Sequence, residues 1–155
     1  MNKIVLITGA TSGIGKACAE KFAAAGHDLI ITGRRQERLA ELQPDLQKEY
    51  GVAVLALCFD VQDNKAVFSA VQCSALSGIS VDILINNAGL ALGRDSFDEA
   101  DMTDWETMLN TNVNGLVYVR RAVLPLTKKT QVHIVNIGPA AGQEVDENDM
   151  GYVYR

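Results

Sequence analysis

The chain has 155 residues, of which 48% are hydrophobic and 21% are charged, and its formal net charge is -5. This composition is typical of a soluble globular domain, and the length is sufficient to bury a core. The negative charge and the scattered basic residues argue against a nucleic-acid binder, which needs clustered Lys and Arg. The first apolar run, residues 4–7, is too short for a signal peptide, and no run reaches transmembrane length. We therefore predict a cytoplasmic protein without a membrane partner.

The three cysteines favour a reducing compartment. Cys18, Cys58 and Cys73 are widely spaced, and none belongs to a CxxC motif or has a histidine beside it. An odd number with this spacing is typical of reduced, buried cysteines rather than of disulfides or a metal site. We expect no metal.

Short apolar runs alternate with longer segments of helical period. The runs are apolar almost throughout, which is typical of strands buried on both faces of a parallel sheet. The pattern predicts an α/β fold of one domain over residues 1–155, a doubly wound parallel sheet with helices on both faces. Six strands are usual in such a fold, so we expect its C-terminal part to be missing. The predicted strands are 3–8, 28–32, 52–59, 82–86 and 132–137, and the predicted helices are 14–25, 35–49, 63–76 and 103–127.

Several residues predict where the helices begin, end or bend. Gly26 follows the first helix, as expected just beyond a helix C-terminus. Thr103 lies three residues before Glu106, which is the spacing of a capping box. Pro44 interrupts the second helix, and an interior proline usually kinks or splits a helix.

The segment TGATSGIG, residues 8–15, follows the first strand and opens the first helix. Gly9, Gly13 and Gly15 can provide a tight turn, close approach of a phosphate, and close packing of helix on strand. The helix N-terminus adds free N–H groups and a partial positive charge. This segment predicts a pyrophosphate-binding loop.

The residues at the end of the second strand indicate which of two dinucleotides, NAD or NADP, the chain would bind. Many dinucleotide folds have an acidic residue here that binds ribose hydroxyls, but Thr32 and Gly33 are followed by Arg34 and Arg35. A guanidinium suits a ribose 2′-phosphate. A solvated arginine pair is less favoured, because positive charge is unfavourable at a helix start. We predict NADP rather than NAD.

Polar residues also follow the third and fourth strands. Asp60 could accept a hydrogen bond from the adenine amino group, or it could be a loop or N-cap aspartate. The NNAG segment, residues 86–89, ends on the same carboxyl edge of the sheet, where ligands bind in such folds.

The motifs TGxxxGIG, DV and NNAG, in this order, resemble the short-chain dehydrogenase/reductase family over the whole chain. TGRRQERL, NNAGLALG and DWETMLNTNVNGLVYVRRAVLP are similar more narrowly to the NADP-dependent 3-hydroxy acid dehydrogenase branch. That resemblance implies a Rossmann fold and an oxidoreductase that interconverts a small alcohol and ketone, such as serine and related 3-hydroxy acids. It also implies a homo-oligomer, a dimer or a tetramer.

The resemblance assigns roles to individual residues. Asn112 matches the catalytic asparagine, which holds a water in a proton relay, and Tyr152 matches the catalytic tyrosine, with Tyr154 as an alternative register. The cofactor contacts that it implies are Gly9, Thr11, Ser12, Gly13, Ile14, Gly15, Arg34, Arg35, Asp60, Val61, Asn87, Ala88 and Gly89.

Two departures from the family pattern keep a second hypothesis open. Pro139 stands at the position of the family's serine, and the lysine expected four residues after Tyr152 would follow Arg155. Pro139 cannot donate a hydrogen bond to a substrate carbonyl. The chain is therefore either an NADP-dependent oxidoreductase or a catalytically silent NADP-binding protein or fragment. The loop that would select a substrate in this family lies beyond these residues.

Overall fold

The computed structural model of the protein describes residues 2–93, 99–127 and 132–138. The five strands of these described residues form one parallel sheet in the order β3-β2-β1-β4-β5. This order and the helices between the strands confirm the predicted doubly wound fold. The strands are β1 (Ile4–Ile7), β2 (Asp28–Gly33), β3 (Val54–Cys58), β4 (Ile83–Asn86) and β5 (His133–Asn136).

The helices of the described residues cover both faces of the sheet. A π-helical turn, Asn110–Asn114, joins the fourth and fifth of them, so the predicted single helix over 103–127 is interrupted. The predicted third helix ends early, at Val71, and a separate 3-10 turn follows it. The helices are α1 (Gly13–Ala24), α2 (Gln36–Tyr50), α3 (Asn64–Val71), α4 (Met102–Leu109) and α5 (Gly115–Val123).

Alternate residues of the central strands supply two separate cores. Leu6 and Ile30 pack with α3 and α5 on one face, whereas Ile7 and Ile31 pack with α1 and α2 on the other. All four side chains are at most 1% exposed. The apolar runs therefore mark strands buried on both faces, as predicted.

Pro44 does not split its helix, contrary to the sequence-based expectation, and α2 is continuous from Gln36 to Tyr50. Pro44 lies on the exposed side of the helix, opposite the buried Leu42 and Leu46. The carbonyl group that loses its N–H partner belongs to the exposed residue Ala40, so solvent can replace that hydrogen bond. Burial of the leucine face holds the helix together despite the proline.

The helix-end predictions have mixed outcomes. Gly26 lies just beyond α1 with φ of +79°, as expected for a glycine at this position. The capping box at Thr103 is wrong, because α4 begins at Met102 and its cap is Asp101. The Asp101 carboxylate accepts a hydrogen bond of 2.8 Å from the Thr103 N–H. An aspartate two residues earlier therefore takes the role that the spacing assigned to Thr103.

The cysteines are less buried than predicted. Cys58 is exposed, and Cys18 and Cys73 are partly buried; all three are free thiols. Cys58 ends β3, which lies at the edge of the sheet, so no neighbouring strand covers it on one side. In the described part of the chain, no helix is long and apolar enough to cross a membrane.

Candidate functional site

The loops that follow β1, β2, β3 and β4 enclose a cleft of about 380 Å³ at the carboxyl edge of the sheet. The reversal of strand order between β1 and β4 opens such a crevice, where ligands bind in doubly wound folds. All the predicted cofactor residues line it except Gly13 and Gly15. Those that line the cleft are Gly9, Thr11, Ser12, Ile14, Arg34, Arg35, Asp60, Val61, Asn87, Ala88 and Gly89.

Gly15 lies where the first helix meets the loop after β4. A Cβ atom there would overlap the Gly9 carbonyl oxygen and the Asn87 side-chain nitrogen. Gly9 has φ of +66°, a left-handed conformation that favours glycine, and it makes the turn out of β1. Gly9 and Gly15 thus have the turn and packing roles predicted from the sequence.

The N-terminus of α1 is available to an anion. Ser12 is the N-cap residue, but its side chain makes no capping hydrogen bond, and the first turn contains no acidic residue. The first N–H groups of a helix have no partners within the helix and carry a partial positive charge. A phosphate in the cleft can therefore bind at this end of α1.

The two arginines after β2 have different partners. The Arg35 Nη2 donates hydrogen bonds of 2.8 Å to Thr11 Oγ1 and 2.9 Å to Ser12 Oγ. Arg34 Nη1 lies 3.9 Å from a carboxylate oxygen of Asp60. The Arg35 guanidinium is thereby held over the glycine loop, and the Arg34 guanidinium is directed toward the loop after β3.

Asp60 is a loop residue that also lines the cleft. One carboxylate oxygen accepts a hydrogen bond of 3.0 Å from the Gln62 N–H. The N-cap of α3 is Asp63, whose side chain accepts from the Ala66 N–H, so Asp60 is not an N-cap aspartate. Its place between β3 and α3 leaves the second carboxylate oxygen directed toward Arg34.

Thr8 is a structural residue of the site that sequence reasoning did not identify. Its hydroxyl oxygen accepts hydrogen bonds from the N–H groups of Asn87 (3.0 Å) and Ala88 (2.9 Å). In return, the Asn87 amide nitrogen donates to the carbonyl oxygens of Thr8 (3.0 Å) and Gly9 (3.2 Å). These four bonds join the glycine loop to the NNAG segment. The only signal in the sequence was a threonine at the end of a buried strand.

Asn112 lies in the π-helical turn and fixes the loop after the NNAG segment. Its Oδ1 accepts from the Leu90 N–H and its Nδ2 donates to the Leu90 carbonyl oxygen, both at 2.9 Å. The neighbouring Asn110 and Asn114 instead bond to each other on the surface. Asn112 itself does not line the cleft, but Leu90 does. Isolated π turns of this kind frequently occur at functional sites.

One buried polar atom supports the interpretation of the cleft as a ligand site. Thr32 is 1% exposed and lines the cleft, and its hydroxyl has no hydrogen-bond partner among the described residues. Thr32 lies next to Gly33, where a Cβ atom would approach the Thr11 side chain to 2.9 Å. A dinucleotide, with many donors and acceptors, fits a polar cleft of this kind.

Two of the predicted active-site positions, that of the tyrosine and that of the family's serine, lie outside the described residues. These are Tyr152, its alternative Tyr154, and Pro139 at the serine position. Within the described ranges, no group of three His, Cys, Asp or Glu residues is arranged to hold a metal ion. The geometry above therefore concerns the half of the site that would bind a dinucleotide.

Known proteins resemble both the sequence and the fold. Sulfoacetaldehyde reductase 2 of Chromohalobacter salexigens is 49% identical over 145 residues, which are 92% of this chain and 57% of that protein. The NADP-dependent 3-hydroxy acid dehydrogenase YdfG of Escherichia coli K12 is 46% identical over 140 residues, 90% of this chain and 55% of that protein. The crystal structure of serine dehydrogenase from Escherichia coli matches with a TM-score of 0.82 and 43% identity, over 97% of this chain and 68% of that one.

This chain spans little more than half the length of the two curated relatives above. The match to a family model is nevertheless broad, since the short chain dehydrogenase model matches residues 3–154. The glycine loop, the cleft at the reversal of strand order and the NNAG segment all lie within that range. The chain belongs to the short-chain dehydrogenase family.

Proposed function

We propose that the protein is an NADP-dependent oxidoreductase that interconverts an alcohol and the corresponding ketone or aldehyde on a small substrate, with 3-hydroxy acids such as serine as the substrate class. The observation that carries the cofactor assignment is Arg35, a guanidinium held over the glycine loop where NAD-binding folds have an acidic residue. The curated relative YdfG is described as NADP-dependent, which supports the same cofactor.

NADP fits the cleft better than NAD because of the charges around the end of β2. No carboxylate occurs between Thr32 and Arg35, so no acidic residue is present to bind the two ribose hydroxyls of NAD. Asp60 lies after the next strand and faces Arg34. An added 2′-phosphate carries close to two negative charges at pH 7, which two guanidinium groups can balance.

NADP, when bound, supplies or accepts the hydride. The residues of this chain bind the cofactor and transfer the proton. The α1 N-terminus and glycine loop bind the pyrophosphate, and Asn112 fixes the loop beside it. Tyr152 is our proposed proton donor to a substrate carbonyl. A free tyrosine has a pKa near 10, so its use as a base at pH 7 requires stabilisation of the phenolate by roughly 4 kcal/mol.

The substrate proposal comes from the relatives. One is named a 3-hydroxy acid dehydrogenase and another a sulfoacetaldehyde reductase. The substrates in both names are small molecules with an acidic group near the reacting carbon. We expect a substrate of that description for this protein, and a 3-hydroxy acid in particular.

One observation favours a second candidate function, a catalytically silent NADP-binding protein. Pro139 replaces the serine of the family pattern, and a proline can offer neither a hydroxyl nor an N–H to a substrate oxygen. Such a protein would bind NADPH through the same cleft and would not turn over any substrate.

Measurements of dinucleotide binding and of substrate turnover distinguish the two candidate functions. The first measurement is calorimetric titration with NADPH and, in parallel, NADH; the second is NADPH formation with NADP and L-serine, other 3-hydroxy acids or 2-hydroxyethanesulfonate. Tight NADPH binding with turnover of a 3-hydroxy acid is the expected result. Binding without turnover of any of them would support the silent protein, and no binding would contradict both.

We also propose that the protein is cytoplasmic and assembles as a homo-oligomer, a dimer or a tetramer. Its thiols are free, as is usual in a reducing compartment. Three exposed apolar side chains at four-residue spacing, Leu109, Val113 and Val117, form an apolar stripe along α4, the π turn and α5. An exposed stripe of this kind is typical of an interface.

A further inference from the structure

Two asparagines form a hydrogen-bonded pair across the carboxyl ends of β4 and β5. Asn86 and Asn136 are register partners in the two parallel strands, and Asn86 Nδ2 donates a hydrogen bond of 2.9 Å to Asn136 Oδ1. Asn86 is 5% exposed, whereas Asn136 is an exposed residue. The pair therefore connects the buried part of this sheet edge with its surface.

This asparagine pair keeps one acceptor and several donors without partners. The Oδ1 of Asn86 is buried and has no hydrogen-bond partner among the described residues. The Asn136 Nδ2 carries two N–H groups, and neither donates a hydrogen bond to any described residue. Since buried polar atoms in proteins nearly always have a partner, the pair favours a further polar molecule at this place.

The hydrogen bond from Asn86 also fixes the orientation of the Asn136 amide. Its oxygen is held by Asn86, so its NH2 group points away from Asn86. An N–H donor that is already held in position can stabilise an oxygen that becomes negatively charged in a transition state. Asn136 thus offers an oriented donor at the exposed end of β5.

The asparagine pair lies beside the candidate cofactor cleft. Asn86 is followed directly by Asn87, which lines the cleft. Side chains alternate along a strand, so Asn136 lies on the same side as Ile134, which packs against the core of the α3 and α5 face. The π turn that leads into α5 contributes Thr111 to the cleft. The oriented amide is therefore on the face of the sheet from which α5 and the π turn approach the cleft.

The sequence near the end of β5 offers no hydroxyl group for a substrate oxygen. Pro139 stands at the serine position of the family pattern, and residues 131–151 contain neither serine nor threonine. Proline has no side-chain or backbone donor. Asn136 precedes Pro139 by three residues and has donors available.

We infer that Asn136 is a catalytic residue whose Nδ2 donates a hydrogen bond to the reacting oxygen of the substrate, in place of the absent serine. Asn86 is a positioning residue that orients this amide. The inference rests on the oxidoreductase activity proposed above, and the ligand is a small aldehyde or ketone or the corresponding alcohol. In reduction, the carbonyl oxygen gains negative charge as hydride reaches its carbon, and the N–H donor stabilises that charge until the oxygen takes a proton.

The first test compares Asn136→Asp with Asn114→Asp in the full-length protein. The Asn136 substitution keeps an oxygen for Asn86 Nδ2 and removes both N–H donors, whereas Asn114 is an exposed asparagine outside the cleft. We measure kcat and KM with NADP and the 3-hydroxy acid that the unmodified protein turns over fastest. Asn136→Asp should lower kcat about 100-fold or more, the range for one donor to a developing oxyanion, and leave the KM of NADP unchanged. Asn114→Asp should leave both constants unchanged.

A second test asks whether a hydroxyl group can replace the amide. Asn136→Ala removes the donors without adding a charge, and it should lower kcat as Asn136→Asp does. Adding Pro139→Ser to Asn136→Ala should then raise kcat at least about 10-fold, whereas Pro139→Ser alone should change it less than about 3-fold, because two donors to one oxygen are not additive. The midpoint of urea denaturation, measured for every variant, reports any structural effect.

Failure of the inference and failure of the proposed function give different results. If the unmodified protein turns over a 3-hydroxy acid and both Asn136 variants keep its kcat, the inference alone is wrong. A lowered kcat that follows a lowered urea midpoint, without rescue by Pro139→Ser, would show a merely structural role for Asn136. An unmodified protein without turnover would contradict the proposed function and the inference together. Turnover that appears only with Pro139→Ser would show that Asn136 does not replace the serine.

Discussion

At the scale of single residues, the site depends on groups that join two loops. Gly15 lies against both the Gly9 carbonyl and the Asn87 side chain, and Thr8 links the two loops through its hydroxyl. The type of residue is predictable at these positions, but the partner is not, because Asn87 lies 72 residues after Gly15 in the sequence. Only the neighbouring positions of β1 and β4 bring them together.

Gly15→Ala should weaken both stability and dinucleotide binding. The added methyl group would meet backbone and amide atoms that have no room to move, and overpacking of this kind costs about 1–3 kcal/mol. Urea denaturation gives the free energy of unfolding, and calorimetry gives the Kd of NADPH. Gly138→Ala is the control, since no atom of the described residues, apart from its chain neighbours, lies within 4 Å of a Cβ atom there. An unaffected Gly15→Ala protein would contradict the close packing of helix on loop.

Asn112→Ala should destabilise the protein by about 1–3 kcal/mol, because it leaves the Leu90 N–H and carbonyl groups without their side-chain partners. The measurement is the midpoint of urea denaturation. Asn114→Ala is a matched control, since among the described residues its side chain bonds to the exposed Asn110 side chain, and the substitution should cost under about 0.5 kcal/mol. Equal effects of the two substitutions would show that the loop after the NNAG segment does not depend on Asn112.

At the scale of elements, burial outweighs local preference. In α2, Leu39, Leu42 and Leu46 are buried along one side, and this face keeps the helix continuous through Pro44. Packing of an amphipathic face supplies most of the stability of a helix in a protein, so a single unfavourable residue on the exposed side is tolerated. The sequence predicted the extent of this helix to within one residue at each end but not its continuity.

Pro44→Ala should therefore stabilise the protein. It restores the hydrogen bond to the Ala40 carbonyl and removes a cost of about 3 kcal/mol, less about 1 kcal/mol for the extra freedom of the unfolded chain. A gain of roughly 2 kcal/mol should appear in urea denaturation. Glu41→Ala, at another exposed position of α2, should change stability little. A loss of stability in Pro44→Ala would mean that the proline fits the helix without strain.

At the scale of the whole molecule, three exposed apolar side chains mark the surface through which we propose that the homo-oligomer forms. The apolar stripe of Leu109, Val113 and Val117 is 37%, 46% and 51% exposed. Val117 belongs to α5, which packs with α3 on one face of the sheet, whereas α1 and α2 pack on the other.

Val117→Lys should dissociate the proposed homo-oligomer. A lysine buried in an apolar interface without a partner costs several kcal/mol, so the dissociation constant should rise about 100-fold or more. Light scattering during size-exclusion chromatography gives the mass of the assembly. Lys21→Glu, a charge change on α1, is the control and should leave the mass unchanged. An unmodified protein that is monomeric would refute the proposed assembly.

The order of apolar runs and glycines by itself determined the architecture: parallel strands buried on both faces, a phosphate loop after the first strand, and a basic end to the second. These are local patterns, since strand period, turn chemistry and charge depend on neighbours in sequence. The tertiary structure decided which groups meet, such as Arg35 with Thr11 and Ser12, or Asn112 with Leu90. These contacts join residues 22 to 24 positions apart across separate elements. Their distances follow from sheet register and helix packing, which no local pattern contains.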